Sequence, residues 1–360
     1  MKLRMTGAAV LLSLAGAAQD TTESKTSPLA ISGYAEAYYS YDFNKPADNN
    51  RPGFLYSHNR HNEFTANLAY IKAAYGTERV RANIALAAGT YINANYAAET
   101  GVMKNIFEAN AGYKLSTKHN LWFDMGIFPS HIGFESAVSK DCWALTRSLM
   151  AENSPYYESG AKLTYSTNEG KWTFSALALN GWQRIKRVEG NSKMNWGTQL
   201  TYKPVSKITL NYSTFYGSDK PDSARLNRFF HNIYGIFQFS DKWGFTAGLD
   251  IGTEQKTKGG SEMNTWYSPV GILRFTPVPK WAFALRGEYY EDKNGVIIAT
   301  GTVDGFSTSG ISFNADYLLF ANLALRVEGR WLKSKDAIFS KDGEATDNTS
   351  AVTFSAAVSF

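Results

Sequence analysis

The side chains able to carry chemistry fall into two sets: a few histidines near glycine and proline, and many charged residues spaced two apart. His58 and His61 occur in HNRH, and His131 and Glu135 are four residues apart. A metal centre needs three or four ligands, and neither pair has a second pair close by in sequence. Gly133, between His131 and Glu135, favours a turn over the helix that would put them on one face. The lone Cys142 allows no internal disulfide. There is no glycine-rich phosphate loop, cysteine pair or nucleophile elbow. The expectation is a protein that is not an enzyme and uses no cofactor or metal.

The second set is more regular. Arg286 and Glu288, then Asn314 and Asp316, then Arg326, Glu328 and Arg330 occupy alternate positions of successive segments. Arg79, Arg81, Glu108, Lys114, Asp124, Glu158, Lys162, Asp250 and Arg274 recur in the same way. Alternate residues of an extended strand share a face. The chemistry such a face offers is electrostatic: an ion-pair ladder that holds a wall in shape, and a field that orients solutes beside it. Mixed signs predict weak ion selectivity.

The elements that position these charges are strands. The last stretch, TSAVTFSAAVSF, puts Val352, Phe354, Ala356, Val358 and Phe360 on one side and Thr353, Ser355, Ala357 and Ser359 on the other. A terminal strand of this kind leaves an open edge unless it pairs with the first strand and closes a barrel. Seven tight turns are predicted, near 76–78, 116–119, 167–170, 203–207, 240–242, 276–280 and 318–322. Eight longer segments lie between them, around 44–61, 90–104, 129–155, 182–194, 218–227, 255–264, 291–308 and 334–348. Together they connect sixteen strands. Strand 2 is irregular, because Phe64, Ala66, Leu68 and Tyr70 run out of phase with Ala69, Ile71, Ala73 and Tyr75. A bulge there is expected.

Alternation alone also fits a soluble sandwich. The aromatics decide between the two. Tyr75, Tyr113, Tyr165, Tyr202, Phe239, Phe275 and Tyr317 precede the turns; Trp172, Trp243 and Trp281 follow three of them, on the apolar face. Rings at one height beside the short turns form a membrane girdle, and closure satisfies every backbone polar group as hydrocarbon requires. The predicted fold is all-β: a transmembrane antiparallel up-and-down β-barrel of sixteen strands with both termini periplasmic. No apolar run reaches the roughly 18 residues of a spanning helix.

Residues 1–18 have the charged start (Lys2, Arg4), apolar centre and small-residue cleavage site of a secretory signal. Residues 19–30 form a periplasmic linker, and 31–360 the barrel. Net charge is +5, with the signs interspersed, so nucleic acid is not an expected partner. The 129–155 segment is the least like a hairpin. Val138, Cys142, Leu145 and Leu149 have helical spacing, Ser139 could cap a helix ending near Asn153, and Cys142 would pack on it as a small apolar side chain. By fold analogy the loop folds inward and sets an aperture, with Lys140, Asp141, Arg147 and Glu152 facing the charged wall.

FPSHIGFES (128–136), LTRSLMAENSPYYESGAKLTY (145–165) and EYYEDKNGV (288–296) resemble the OmpL-like beta-barrel porins of Gram-negative outer membranes. The resemblance spans about 31–360 and implies a barrel and a pore-forming role, with no catalytic residue to carry over. The expected function is passive diffusion of small hydrophilic solutes or ions through a water-filled lumen, in a barrel surrounded by outer-membrane lipid and, by analogy, trimeric. Glycine-rich inner faces on strands 5 and 11 argue against a filled interior. The alternatives are a barrel whose loops bind or adhere to a partner and, further off, a barrel enzyme.

Overall fold

The structure, a computed structural model, describes residues 27–360. The signal segment and most of the linker lie outside the described residues. The first nine strands are β1 (Leu29–Asp42), β2 (Phe64–Gly76), β3 (Val80–Ala88), β4 (Ile106–Lys114), β5 (Asn120–Pro129), β6 (Tyr157–Ser166), β7 (Trp172–Leu179), β8 (Asn195–Tyr202) and β9 (Ile208–Gly217). The second nine are β10 (Arg228–Gln238), β11 (Trp243–Gln255), β12 (Met263–Val278), β13 (Trp281–Asp292), β14 (Phe306–Phe320), β15 (Leu323–Ser334), β16 (Phe339–Lys341), β17 (Glu344–Thr346) and β18 (Asn348–Ser359). Sixteen of them close into one antiparallel barrel; β16 and β17 form a separate hairpin in the last long loop. All seven predicted turns and eight predicted loops fall where the strands end.

Closure joins β1 to β18, from Tyr34 opposite Ser359 to Asp42 opposite Ala351. Gly33 donates its N–H to the Phe360 carbonyl at 2.8 Å, and Phe360 returns one to Gly33 at 3.0 Å. A Cβ on Gly33 would lie 2.3 Å from the Phe360 ring, so a side chain there would push that ring away from the seam. On the inner side Ser40 and Thr353 share a hydrogen bond of 2.8 Å, and Thr349 donates to Asp42 at 2.9 Å. No strand edge of the barrel is left open.

The two faces separate as the alternation predicts. Trp172 stacks on Tyr202 with centroids 3.9 Å apart, Trp243 on Phe275 at 4.4 Å, and Trp281 packs on Tyr317 at 4.8 Å. Each pair joins neighbouring strands on the outer face beside a short turn. β2 contains the expected irregularity. Its register against β1 shifts between Glu36 and Ala37, where Leu68 and Ala66 are successive partners and Asn67 is the extra residue. Phe64 on one side of this bulge is exposed, Leu68 is buried, and Ile71 is exposed again. The bulge reverses the phase, so Phe64 and Ala66 before it and Ala69, Ile71, Ala73 and Tyr75 after it face outward, while Leu68 and Tyr70 turn inward.

Val327 stands mid-strand on the outer face, opposite Ala315 and Phe354. Replacing it with arginine is expected to destabilise the barrel, refolded into phospholipid vesicles, by about 2–4 kcal/mol. Equilibrium urea unfolding measures the difference, and a cost near zero would mean that this face meets water.

Candidate lumen and its inward-folded loop

The segment between β5 and β6, residues 130–156, folds into the barrel and is held by both walls. At its start, the His131 carbonyl accepts from Gln199 of β8 at 3.0 Å and from Ser213 of β9 at 2.8 Å. Gly133 donates to Asn232 of β10 at 3.0 Å. Farther on, Ser139 donates to Glu36 of β1 at 2.5 Å, and its carbonyl accepts from Arg326 of β15. Leu145 donates to Asn314 of β14 at 3.0 Å, Thr146 to Glu328 of β15 at 2.6 Å, and Leu149 to Glu288 of β13 at 2.7 Å. These acceptors all point inward by alternation.

The expected helix from Ser139 is replaced by two short pieces. A single 3-10 turn covers Ser139–Asp141, and the helix α1 covers only Leu149–Glu152, capped by the Ser148 hydroxyl. Between them the wall takes the backbone groups of Leu145 and Thr146 that a helix would have used. Asparagine and carboxylate acceptors at 2.6–3.0 Å satisfy those N–H groups as fully as a helix could. The chain therefore crosses without a continuous helix, as a series of bends.

The four loop charges do not face the charged wall. Arg147 turns back on its own loop and donates to the carbonyls of Ser136 (2.5 Å), Leu145 (2.6 Å) and Ala137 (2.9 Å). Glu152 accepts from the N–H groups of Tyr56 at 2.9 Å and Ser57 at 3.2 Å, tying this loop to the first one. Burial raises the Glu152 carboxyl to about 7, against the lowering pull of Arg147 and those N–H groups. Lys140 donates to the Ser359 hydroxyl at 2.6 Å. Asp141 is exposed and makes no ion pair among the described residues. What meets the wall is loop backbone. Cys142 is buried, with its Sγ accepting from the Ser136 N–H at 3.2 Å, and burial pushes its thiol up to about 11, so it has no reactive thiolate.

The wall charges form one network. Arg286 lies 2.8 Å from Glu328 and 3.5 Å from Glu288, and Arg330 lies 2.8 Å from Glu288. Arg286 also donates to the Thr146 carbonyl at 2.6 Å. Arg326 binds Asp316 through two nitrogens, at 2.7 and 3.0 Å, and Asn314 donates to the same carboxylate. Across the barrel, Arg81 pairs with Asp124 at 2.5 Å and Lys72 with Glu108 at 2.8 Å. Arg79 does not line the lumen; it lies at the turn-end rim with its guanidinium 5.1 Å from the Tyr113 ring centre.

The histidines serve packing. His131 donates from one ring nitrogen to Glu158 at 2.9 Å and from the other to the Thr214 carbonyl at 2.9 Å. Both nitrogens facing acceptors calls for the imidazolium. Burial alone would lower its pKa, and the Glu158 carboxylate more than offsets this. His58 lies 3.2 Å from Glu36, and His61 accepts the Asp42 N–H at 2.9 Å. Among the described residues no three His, Cys, Asp or Glu side chains converge where a metal could sit. Glu36, Asn232, Gln199 and Ser213 hold the loop although sequence reasoning did not single them out. Their one signal was a polar side chain at an inward position.

The lumen has two unlike halves. Toward the long loops, inward Phe128, Leu177, Leu179, Phe215, Phe230, Trp266, Tyr290, Phe306 and Leu332 are each at most 2% exposed and join one apolar cluster with Leu55, Ile132, Leu149, Ile298 and Phe339 of the loops. Glycines along β11 make room for side chains of the inward loop and of the wall, contrary to the expectation that they mark open space. Gly244 admits Trp143, Gly248 admits Phe134 and Met150, and Gly252 admits Trp266, each within 3.0 Å of where a Cβ would stand. Toward the short turns the wall is wetter: the Lys72 and Arg81 side chains are 26% and 28% exposed, against 0% for Arg286 and Glu328.

A family model described as "Putative beta-barrel porin-2, OmpL-like" matches residues 28–360. The chain belongs to that porin family. No curated protein sequence matches this porin. Among solved structures, the outer membrane channel DcaP of Acinetobacter baumannii is 12% identical and superposes with a TM-score of 0.60 over 92% of this chain and 97% of that one. The anion-selective porin from Comamonas acidovorans gives 11% and 0.59, over 92% and 99%. A trimer form of OmpT, an outer membrane protein of Vibrio cholerae, gives 9% and 0.57, also over 92% and 99%. At these identities the likeness is one of fold. The porin family and the closed barrel together imply the bacterial outer membrane.

Arg286 is the hub of the loop's attachment. Arg286→Met leaves Glu288 and Glu328 short of a buried partner, and is expected to destabilise the folded protein by about 3–5 kcal/mol. Unfolding in guanidinium, followed by tryptophan fluorescence, measures the loss; a change below about 1 kcal/mol would show that the network is not structural.

Proposed function

We propose that this porin passes small hydrophilic solutes or ions passively across the outer membrane, with the 130–156 loop setting the aperture. The observation that carries the reading is the loop's course. It is bound to β13, β14 and β15 on one side and to β8, β9 and β10 on the other, so any solute must pass it. In this reading Arg81, Glu108 and Asp124 line the path in the wetter half, while Glu158, Arg286, Glu288, Asp316, Arg326, Glu328 and Arg330 fix the loop that narrows it. By the same reading residues 1–18 direct export and are then cleaved, both termini are periplasmic, and outer-membrane lipid covers the aromatic girdle.

The packed loop end favours a second reading, in which joined loops present a fixed binding surface and little or nothing passes. Conductance of the purified, refolded protein in planar bilayers separates the two. Deleting residues 137–153 is expected to raise single-channel conductance several-fold; an unchanged conductance overturns the aperture role. The assembly proposed is a homotrimer, as in the trimer form of the Vibrio protein. Light scattering in mild detergent should return the mass of three chains, and a single-chain mass overturns that assembly.

A further inference from the structure

Above the rim residue Lys114, the turn-end half of the lumen keeps two cations that, among the described residues, have no carboxylate within ion-pair distance, although Asp124 stands on the strand opposite Lys162. Most inward charges there cancel: Arg81 with Asp124, Lys72 with Glu108, and Arg326 with Asp316. Lys162 of β6 and Arg274 of β12 face the same chamber. Neither has a carboxylate oxygen within 4.0 Å among the described residues, whereas Lys72, Arg81 and Arg326 each lie within that distance of one. Each is laid against an aromatic ring. The Lys162 ammonium is 4.7 Å from the Phe128 centre, and the Arg274 guanidinium 5.8 Å from that of Trp143, on the inward-folded loop. Arg274 Nε is buried and donates to nothing. Asp316 is the nearest candidate acid for it, but that carboxylate already takes two bonds from Arg326 and one from Asn314. The one unpaired acid of the chamber, Asp141, follows Lys140 directly in sequence, and the two charges offset.

The two cations stand six strands apart around a sixteen-strand wall, so they address the chamber from different sides. The rim below them has the same sign. The short turns carry Arg79, Lys118, Lys171, Lys203, Lys207, Lys242 and Lys280 against Glu78, Glu169 and Asp241. An ammonium or guanidinium in a low-dielectric enclosure without a fixed counter-charge raises the local concentration of mobile anions. Aromatic faces stabilise the cation without cancelling its charge.

We propose that Lys162 and Arg274 make the channel selective for small anions, inorganic or carboxylate, a property that rests on the channel reading above. This departs from the weak selectivity expected from the mixed signs of the sequence, because pairing removes most of those charges from the field a solute meets. Reversal potentials in a KCl gradient across planar bilayers test it. The full-length mature protein is expected to pass chloride roughly threefold more readily than potassium. Lys162→Gln combined with Arg274→Gln should bring the ratio to about one, and Lys162→Arg combined with Arg274→Lys should keep the preference. A ratio at or below one in the unaltered protein, or a preference that survives the glutamine pair, overturns the proposal. If the unaltered protein passes no current, the same series is run in the chain lacking 137–153. Current without anion preference overturns this inference alone; no current from either chain overturns the channel reading and this inference together.

Discussion

A sheet of sixteen antiparallel strands has two raw edges unless its ends meet, and everything else in this protein depends on that meeting. The seam between β1 and β18 turns a ribbon of backbone donors and acceptors into a surface with none to spare. Once it exists, every strand has one face toward the outside and one toward an enclosed space. The outside can then be uniformly apolar. The inside becomes the one place where charge, polar side chains and an irregular loop can be accommodated.

The crossing loop shows what that enclosure permits. In water, a segment such as Cys142–Ser148 would form helix or stay disordered, because its backbone groups need partners. Inside the barrel, Glu288, Glu328 and Asn314 supply them. The wall arginines compensate those carboxylates in turn, so the charged ladder and the loop are parts of one structure. Fully satisfied networks of this kind are rigid, and a partly satisfied one would be costly in the same surroundings.

The same enclosure divides the lumen. Loops contribute Leu55, Ile132, Leu149 and Ile298, and the wall answers with inward aromatics and leucines, so the loop end is packed like the core of a soluble domain. Nearer the turn end the crossing loop contributes Trp143, and the wall there retains partly hydrated charges. In the proposed channel, passage is then decided where the loop meets the wall, and the character of what passes by the side chains on the turn side of it.

Strand number, turn positions, the girdle and the bulge near Asn67 were all legible in the sequence, because each follows from local alternation and from which residues tolerate lipid, water or a tight turn. Inward polar residues were legible for the same reason. Pairing was not, since Arg326 with Asp316 or Glu36 with Ser139 depends on register and on a loop brought from far along the chain. The helical spacing of Val138, Cys142, Leu145 and Leu149 misled for that reason: wall acceptors outcompeted the helix for the backbone. Glycines such as Gly244 and Gly248 likewise read as empty space until the rings of Trp143 and Phe134 were placed against them. Sequence alone determined that a barrel forms and which way each residue points, both being matters of period two. The tertiary structure decided what fills the barrel and which charges stay free, because those depend on which side chains the register and the inward loop bring within reach of one another.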